Sequence, residues 1–163
     1  MFMKKRIVTL AAALTVLVSC TMFGRPALAS EEPHSVAVNK PAFASSAEEG
    51  FTAANAFDSD AATRWSSSYS DPQWIFIDLV GNYLVSEVKL NWEAAYAKAY
   101  KIQVSRDAVH WTDVYSTATG DGGIDDITFS PTNAQFVRVY GIQRATSWGY
   151  SLYNVDVIGA ANP

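Results

Sequence analysis

In the run "AFDSDAATRWSSSYSDPQW", residues 56 to 74, the carboxylates of Asp58 and Asp60 stand two apart and are followed by Thr63, Arg64 and Trp65. Acids this close admit three chemistries: an acid/base pair, a hard-cation site, or a turn whose carboxylates cap its own amides. Cleavage of a glycosidic bond needs carboxyls on opposite sides of that bond, roughly 5 to 9 Å apart and usually on different elements. Asp58 and Asp60 share one tight loop and cannot flank a sugar ring. Oxygen donors at i, i+2 and i+5 can instead wrap a calcium ion, when backbone carbonyls complete a shell of about six to eight oxygens. The glycine and terminal glutamate of an EF-hand loop are missing, and Asx capping of turn amides is the alternative. Spacing alone leaves both readings open.

The remaining reactive side chains do not assemble into a catalytic pattern. Glu48, Glu93 and Asp121 come from separate loops, His34 lies near the start of the domain, and His110 precedes Trp111 in a turn. G-x-S-x-G, H-E-x-x-H and Gly-rich phosphate loops are absent. "TGDGGIDD" (119 to 126) has acids and glycines without calcium-loop spacing and reads as a hairpin connection. The expectation is a protein that binds and does not catalyse.

The elements that must carry these residues are strands. "QWIFIDLV" (73 to 80) alternates Ile75, Ile77 and Leu79 against Trp74, Phe76 and Asp78, and "VSEVKLNWE" (85 to 93) alternates Val88, Leu90 and Trp92 against polar neighbours. Further strands are expected at 99 to 105, 112 to 117, 124 to 130, 135 to 141 and 152 to 159, with one helical turn in "FTAANAF" (51 to 57). Seven or eight strands without a βαβ rhythm predict an all-β fold, an antiparallel β-sandwich or jelly roll whose loops carry the function. Trp65, Trp92 and Trp111 are expected in or beside the core.

The first 29 residues have the basic start, apolar middle and Ala27-Leu28-Ala29 finish of a signal peptide, so the protein is expected to be secreted. "LVSC" at 17 to 20 resembles a lipoprotein cleavage box and offers the alternative of membrane attachment through Cys20. Four of the 12 basic residues lie in that leader and none of the 16 acids does, so the remainder holds 8 against 16, a formal charge of −8. Such a surface disfavours nucleic acid, anionic membrane and acidic polysaccharide, and suits neutral or cationic partners. Residues 30 to 37 read as a short extension and 38 to 160 as the domain.

The ordered motifs "NKPAFASS", "GFTAANAFDSDAATRWSSSYSDPQWIFIDL", "VKLNWEAAYAKAYKIQVSRDAVHWTDVYST", "FVRVYG" and "GYSLYNVDVIG" resemble the coagulation factor 5/8 type C, or discoidin, domain. Within it they are similar to the bacterial family 32 carbohydrate-binding modules, especially those accompanying chitosanases and β-glucanases. The resemblance implies a galactose-binding-domain-like jelly roll of about eight strands, a sugar site on loops at one end, and a structural calcium ion. Carried over by position, the calcium ligands are the carbonyls of Asn55 and Tyr153, the side chains of Asp58, Asp60 and Thr63, and Asn154, where the family usually has glutamate. Asp107-Ala108 stands where the family has Asp-Gly, and an alanine at positive φ there costs about 1 kcal/mol.

The positions that line the ligand site in this resemblance are Glu48, Arg64, Tyr69, Glu93 and Tyr150. Four loops can supply aromatic faces beside polar groups: "EEGF" (48 to 51), "TRWSSSYS" (63 to 70), "WEAAYAKAY" (92 to 100) and "RATSWGYS" (144 to 151). In the last of these, Trp148 and Tyr150 sit among small polar residues that give large aromatics little to pack against. Glu48 and Glu93 are expected to receive the ammonium and hydroxyls of a glucosamine unit, Arg64 to donate to ring-substituent oxygens, and Tyr69, Tyr150 or Trp148 to stack. The expected partner is a carbohydrate polymer or oligomer, chitosan first and other β-glycans or galactosides next. The expected state is a monomer, with a separate glycoside hydrolase as a further partner. An adhesion or protein-interaction role on the same fold is the competing reading.

Overall fold

The computed structural model describes residues 34–162. The expected leader, with Cys20, lies outside the described residues. Antiparallel strands carry the fold: β1 (Ala42–Ala44), β2 (Trp65–Ser66), β3 (Gln73–Trp92), β4 (Ala97–Ser105), β5 (Thr112–Thr117), β6 (Ile124–Arg144) and β7 (Ser151–Ala161). The helical turn expected near residue 54 is a 3-10 turn at Ala53–Ala56.

Register divides the strands into two layers. Residues 73–78 of β3 pair with β1 and with residues 136–141 of β6, beyond which lie β4 and β5. Residues 83–92 of β3 pair with β7, which carries β2 on its other side, and residues 83–91 pair with the first half of β6. Ile75, Ile77 and Leu79 of the first half, and Val88, Leu90 and Trp92 of the second, turn inward and are buried. The sandwich expected from period-two alternation is borne out.

The strand count differs from the expectation because β3 and β6 each pass through both layers. Between Asp78↔Phe136 and Tyr83↔Ala134 the ladder leaves residues 79–82 unpaired against Gln135 alone. A bulge of that kind bends a strand without ending its pairing. Asp78 fixes the bend, its Oδ1 accepting from the Val80 amide (2.8 Å) and from Gln135 Nε2 (3.0 Å), while Val80 takes φ 55°. The run expected as two strands is therefore one bent strand in each case.

Ala108 has φ 59°, the left-handed conformation expected there, with the Asp107 carboxylate accepting from the Val109 and His110 amides. The 119–126 segment is not a hairpin connection: it links β5 at one layer's edge to the start of β6 in the other layer, and Trp92 N donates to Gly123 O across 2.8 Å. The expected extension reaches into the fold, since Ser35 bridges Ile158, Val36 N donates to Val157 O (2.8 Å), and Val36 and Ala37 are buried. The domain edge thus lies before Val38, because β7 offers an unpaired side to which the chain attaches.

Trp65 and Trp92 are core residues, 2% and 4% exposed. Burying an indole or phenol is favourable only when its polar end finds a partner. Trp65 Nε1 donates to Ser46 O (3.0 Å), and Trp92 Nε1 and the Tyr100 hydroxyl both donate to Asp125 Oδ2 (2.9 and 2.6 Å). Trp111 is half-buried under the Arg138 guanidinium, 3.9 Å from the ring centre.

Candidate functional site

Four loops meet at the end of the sandwich where β3 and β6 finish and β7 begins. Glu48 stands in the β1–β2 connection, where its amide donates to Ser66 O (2.9 Å) and its carbonyl accepts from Phe51 N (3.0 Å). Arg64 immediately precedes β2, Tyr69 lies between β2 and β3, Glu93 follows β3, and Trp148 and Tyr150 lie between β6 and β7. All six residues named from the sequence border one cleft of about 270 Å³. Ser66 and Ser151 form part of its lining, with their hydroxyl oxygens 2.9 Å apart.

The polar groups of the cleft are oriented by their neighbours in the fold. The Tyr69 hydroxyl donates to Glu48 Oε1 (2.5 Å), and this bond, followed by desolvation, raises the Tyr69 pKa above its ordinary value. Glu93 Oε2 accepts from the Ala95 amide (2.9 Å), which aims its carboxylate and leaves the other oxygen available. Arg64 lies over the Phe51 ring, 4.0 Å from its centre, and its Nε donates to Ser66 Oγ (3.3 Å). Tyr69 and Trp148 are 50% and 59% exposed and meet edge to face, with centroids 5.6 Å apart at 89°. Two aromatic planes at a right angle make a corner that can receive the apolar face of a ring while the carboxylates take its donors.

Tyr150 is placed differently from the expectation that it could stack. Its side chain is 1% exposed and its ring lies on the backbone of Gly141, where an added Cβ would stand 2.5 Å from Tyr150 Cε1. Only glycine permits that approach, and its partner is nine residues upstream on β6, out of sight of any loop-based argument. The Tyr150 hydroxyl donates to Asp71 Oδ1, and burial followed by that bond pushes its pKa up.

Sequence reasoning missed several residues that shape the cleft. Asp71 and Arg144 pair at 3.3 Å behind it, and Gly149 brings the 145–149 backbone against Ser67 so closely that a Cβ would collide with the Ser67 carbonyl. The signal available was weak, an acid before a proline and a glycine beside an aromatic, and polar loops carry many such pairs.

The Asp58 corner lies beside the Arg64 loop. Thr63 Oγ1 is 2.8 Å from Asp58 Oδ2, 3.2 Å from the Asn55 carbonyl and 3.1 Å from the Asp60 carbonyl. One hydroxyl proton cannot serve three acceptors, so the corner holds a surplus of hard oxygens of the type calcium takes. The turn reading is also realised, because Asp58 Oδ1 accepts from the Asp60 amide and Asp60 Oδ1 from the Ala62 amide, both at 2.9 Å. The Asn154 side chain is engaged elsewhere, donating to Asp156 Oδ2 (2.8 Å) in a cleft shared with Lys89, Asn91 and Asp126. Tyr153, expected to offer its carbonyl, lies in β7. No group of three or more His, Cys, Asp or Glu converges among the described residues, so carboxylates alone would not complete an ion's shell here and carbonyl and hydroxyl oxygens would have to contribute.

The sequence profile of the F5/8 type C domain matches residues 41–155. The chain belongs to the F5/8 type C domain family. Among solved structures this F5/8 type C domain is similar to chitosan-binding module 1 of a chitosanase/glucanase from Paenibacillus sp. IK-5, in selenomethionine-labelled mutant form. That match has 52% identity and a TM-score of 0.77, covering 78% of this chain and 100% of that one. It is also similar to chitosan-binding module 2 of the same enzyme, solved in complex with chitotriose, at 55% identity and a TM-score of 0.74 over 75% of this chain and 98% of that one. A curated relative, the polysaccharide lyase 8 family protein HylA of Enterococcus faecalis, is 28% identical over 101 residues, which are 62% of this chain. The F5/8 type C domain chain spans only 7% of that relative's length.

Proposed function

We propose that this protein is a non-catalytic carbohydrate-binding module whose loop cleft holds glucosamine units of chitosan or its oligomers. The observation that carries the reading is the convergence of Glu48 and Glu93 with the right-angled Tyr69 and Trp148 rings in one cleft. The identity of over half to modules that bind chitosan supports the same ligand class. In this reading the two carboxylates share an ammonium and neighbouring hydroxyls, Arg64 donates to ring-substituent oxygens, and Trp148 with Tyr69 covers the C–H face of the sugar. Tyr150 acts from behind the cleft, through its packing.

A calcium ion at the corner belongs to the same proposal. The Asn55 and Asp60 carbonyls, the Asp58 carboxylate and the Thr63 hydroxyl would hold it, and it would stiffen the turn that presents Arg64.

The experiment is a titration with glucosamine, cello-, laminari- and galacto-oligosaccharides followed by tryptophan fluorescence, with product analysis of the same mixtures. Glucosamine oligomers are expected to bind, with affinity falling as salt rises, and Glu93→Gln to weaken them at least tenfold, as removal of one partner from a charge-assisted pair does, while reaction products stay absent. Silence toward every sugar would overturn the reading. Equal affinity of Glu93→Gln and the parent for glucosamine oligomers would remove the ammonium role, and released products would remove the non-catalytic one.

A further inference from the structure

We propose that Asp71 and Arg144, neither of which lines the cleft, are positioning residues that lock the 145–149 segment and hold Trp148 in place as the cleft's stacking wall. The inference rests on the reading of the cleft as a sugar site.

Trp148 emerges from "ATSWG", a stretch of small residues, and is 59% exposed. Its indole has little core to lean on, so its position depends on the backbone beneath it. That backbone is held from one side by Arg144, whose Nη1 donates to the carbonyls of Ser147 (3.3 Å) and Trp148 (3.2 Å). The Trp148 amide is held in turn by Thr146 Oγ1 (3.2 Å). Arg144 is oriented by its Nε bond to Asp71 Oδ1 (3.3 Å), and the same carboxylate oxygen accepts from the buried Tyr150 hydroxyl.

The side chains of Arg144 and Asp71 are 22% and 33% exposed, so the pair is partly shielded from solvent competition. A guanidinium suits this task because its planar fork serves a carboxylate and two carbonyls at once; a lysine ammonium is a point charge on a flexible stem. The clamp reaches ligand groups without touching ligand. Trp148 meets Tyr69 edge to face, and Tyr69 donates to Glu48, so fixing the first orders the other two. A wall ordered before binding spares the complex the cost of ordering it.

The test uses the intact chain, parent and Arg144→Lys, alone and with Trp148→Ala, with Asp71→Asn as a second disruption of the clamp. Ring-to-ring nuclear Overhauser contacts between Trp148 and Tyr69 are read in the free protein, and affinity for the glucosamine trisaccharide is measured by titration. The expected result is loss of the contacts in Arg144→Lys and affinity about tenfold weaker, the cost of ordering one large side chain. In the Trp148→Ala background the same change is expected to have no further effect on affinity, because its target is gone. Persistence of the contacts with unchanged affinity would overturn the proposal, as would an equal loss with and without Trp148, which marks a merely structural role. A parent that binds no trisaccharide while Arg144→Lys loses the contacts would overturn the sugar reading and leave the clamp standing.

Discussion

The polar groups of the cleft are held by identifiable neighbours, and that makes the cleft testable residue by residue. Tyr69 is the plainest case, because its hydroxyl proton is the one shared with Glu48. The bond exists while the phenol is protonated, so it is fully present below the ordinary value of 10.0 and is lost as pH rises through the raised folded value. Ultraviolet titration of the parent against Glu48→Gln is expected to show one of the phenols that ionise above the normal range returning toward it in the variant, while the buried Tyr150 stays high. A Tyr69 that ionises normally in the parent would contradict the bond. Tyr150 shows where residue-level reading stops: its sequence context of small polar neighbours suggested a free aromatic, yet its place is decided by Gly141 on a different element. The acids and aromatics facing the cleft were visible as residue types in loops. Asp71 and Arg144 were not, since their importance lies in what they hold and not in what they are.

At the scale of elements, the strands announce themselves through alternation, and the inward rows of β3 fall where period two puts them. Their continuity was not legible, because a bend that keeps its ladder depends on which residues of the partner strand are skipped, a property of the pair. The crossover at 119–126 was misread for a related reason: a glycine-rich turn signals reversal and says nothing of which layer receives the next strand. The contact between β6 and the β6–β7 loop supplies a sharp test. Gly141→Ala is expected to destabilise the fold by about 1 to 3 kcal/mol, the usual cost of forcing atoms into a packed site, because the Tyr150 ring must move. Chemical denaturation measures it, and an unchanged midpoint would show that the ring has room to yield.

For the whole molecule, the question is how a small sandwich keeps four loops in register. The Asp58 corner contributes if it holds an ion, and the proposal of calcium there predicts a melting temperature that rises with calcium by mass action and stops rising in Asp58→Asn. A parent whose melting is indifferent to calcium would leave the corner as a self-capped turn, a role its amide bonds already support. The long strands decide a further matter. Ser151 of β7 lines the cleft, whereas Ile158, seven residues of strand later, meets Ser35, and Asn162 N donates to Asn82 O at the bend of β3. At about 3.3 Å per strand residue, the cleft and these outer segments stand about 20 Å apart, at opposite ends of the sandwich. Anything joined to the molecule near residue 35 or residue 162 therefore leaves the cleft pointing outward, like the free end of a bracket. A surface coated with the protein through either end would present the loops of the cleft to the solution.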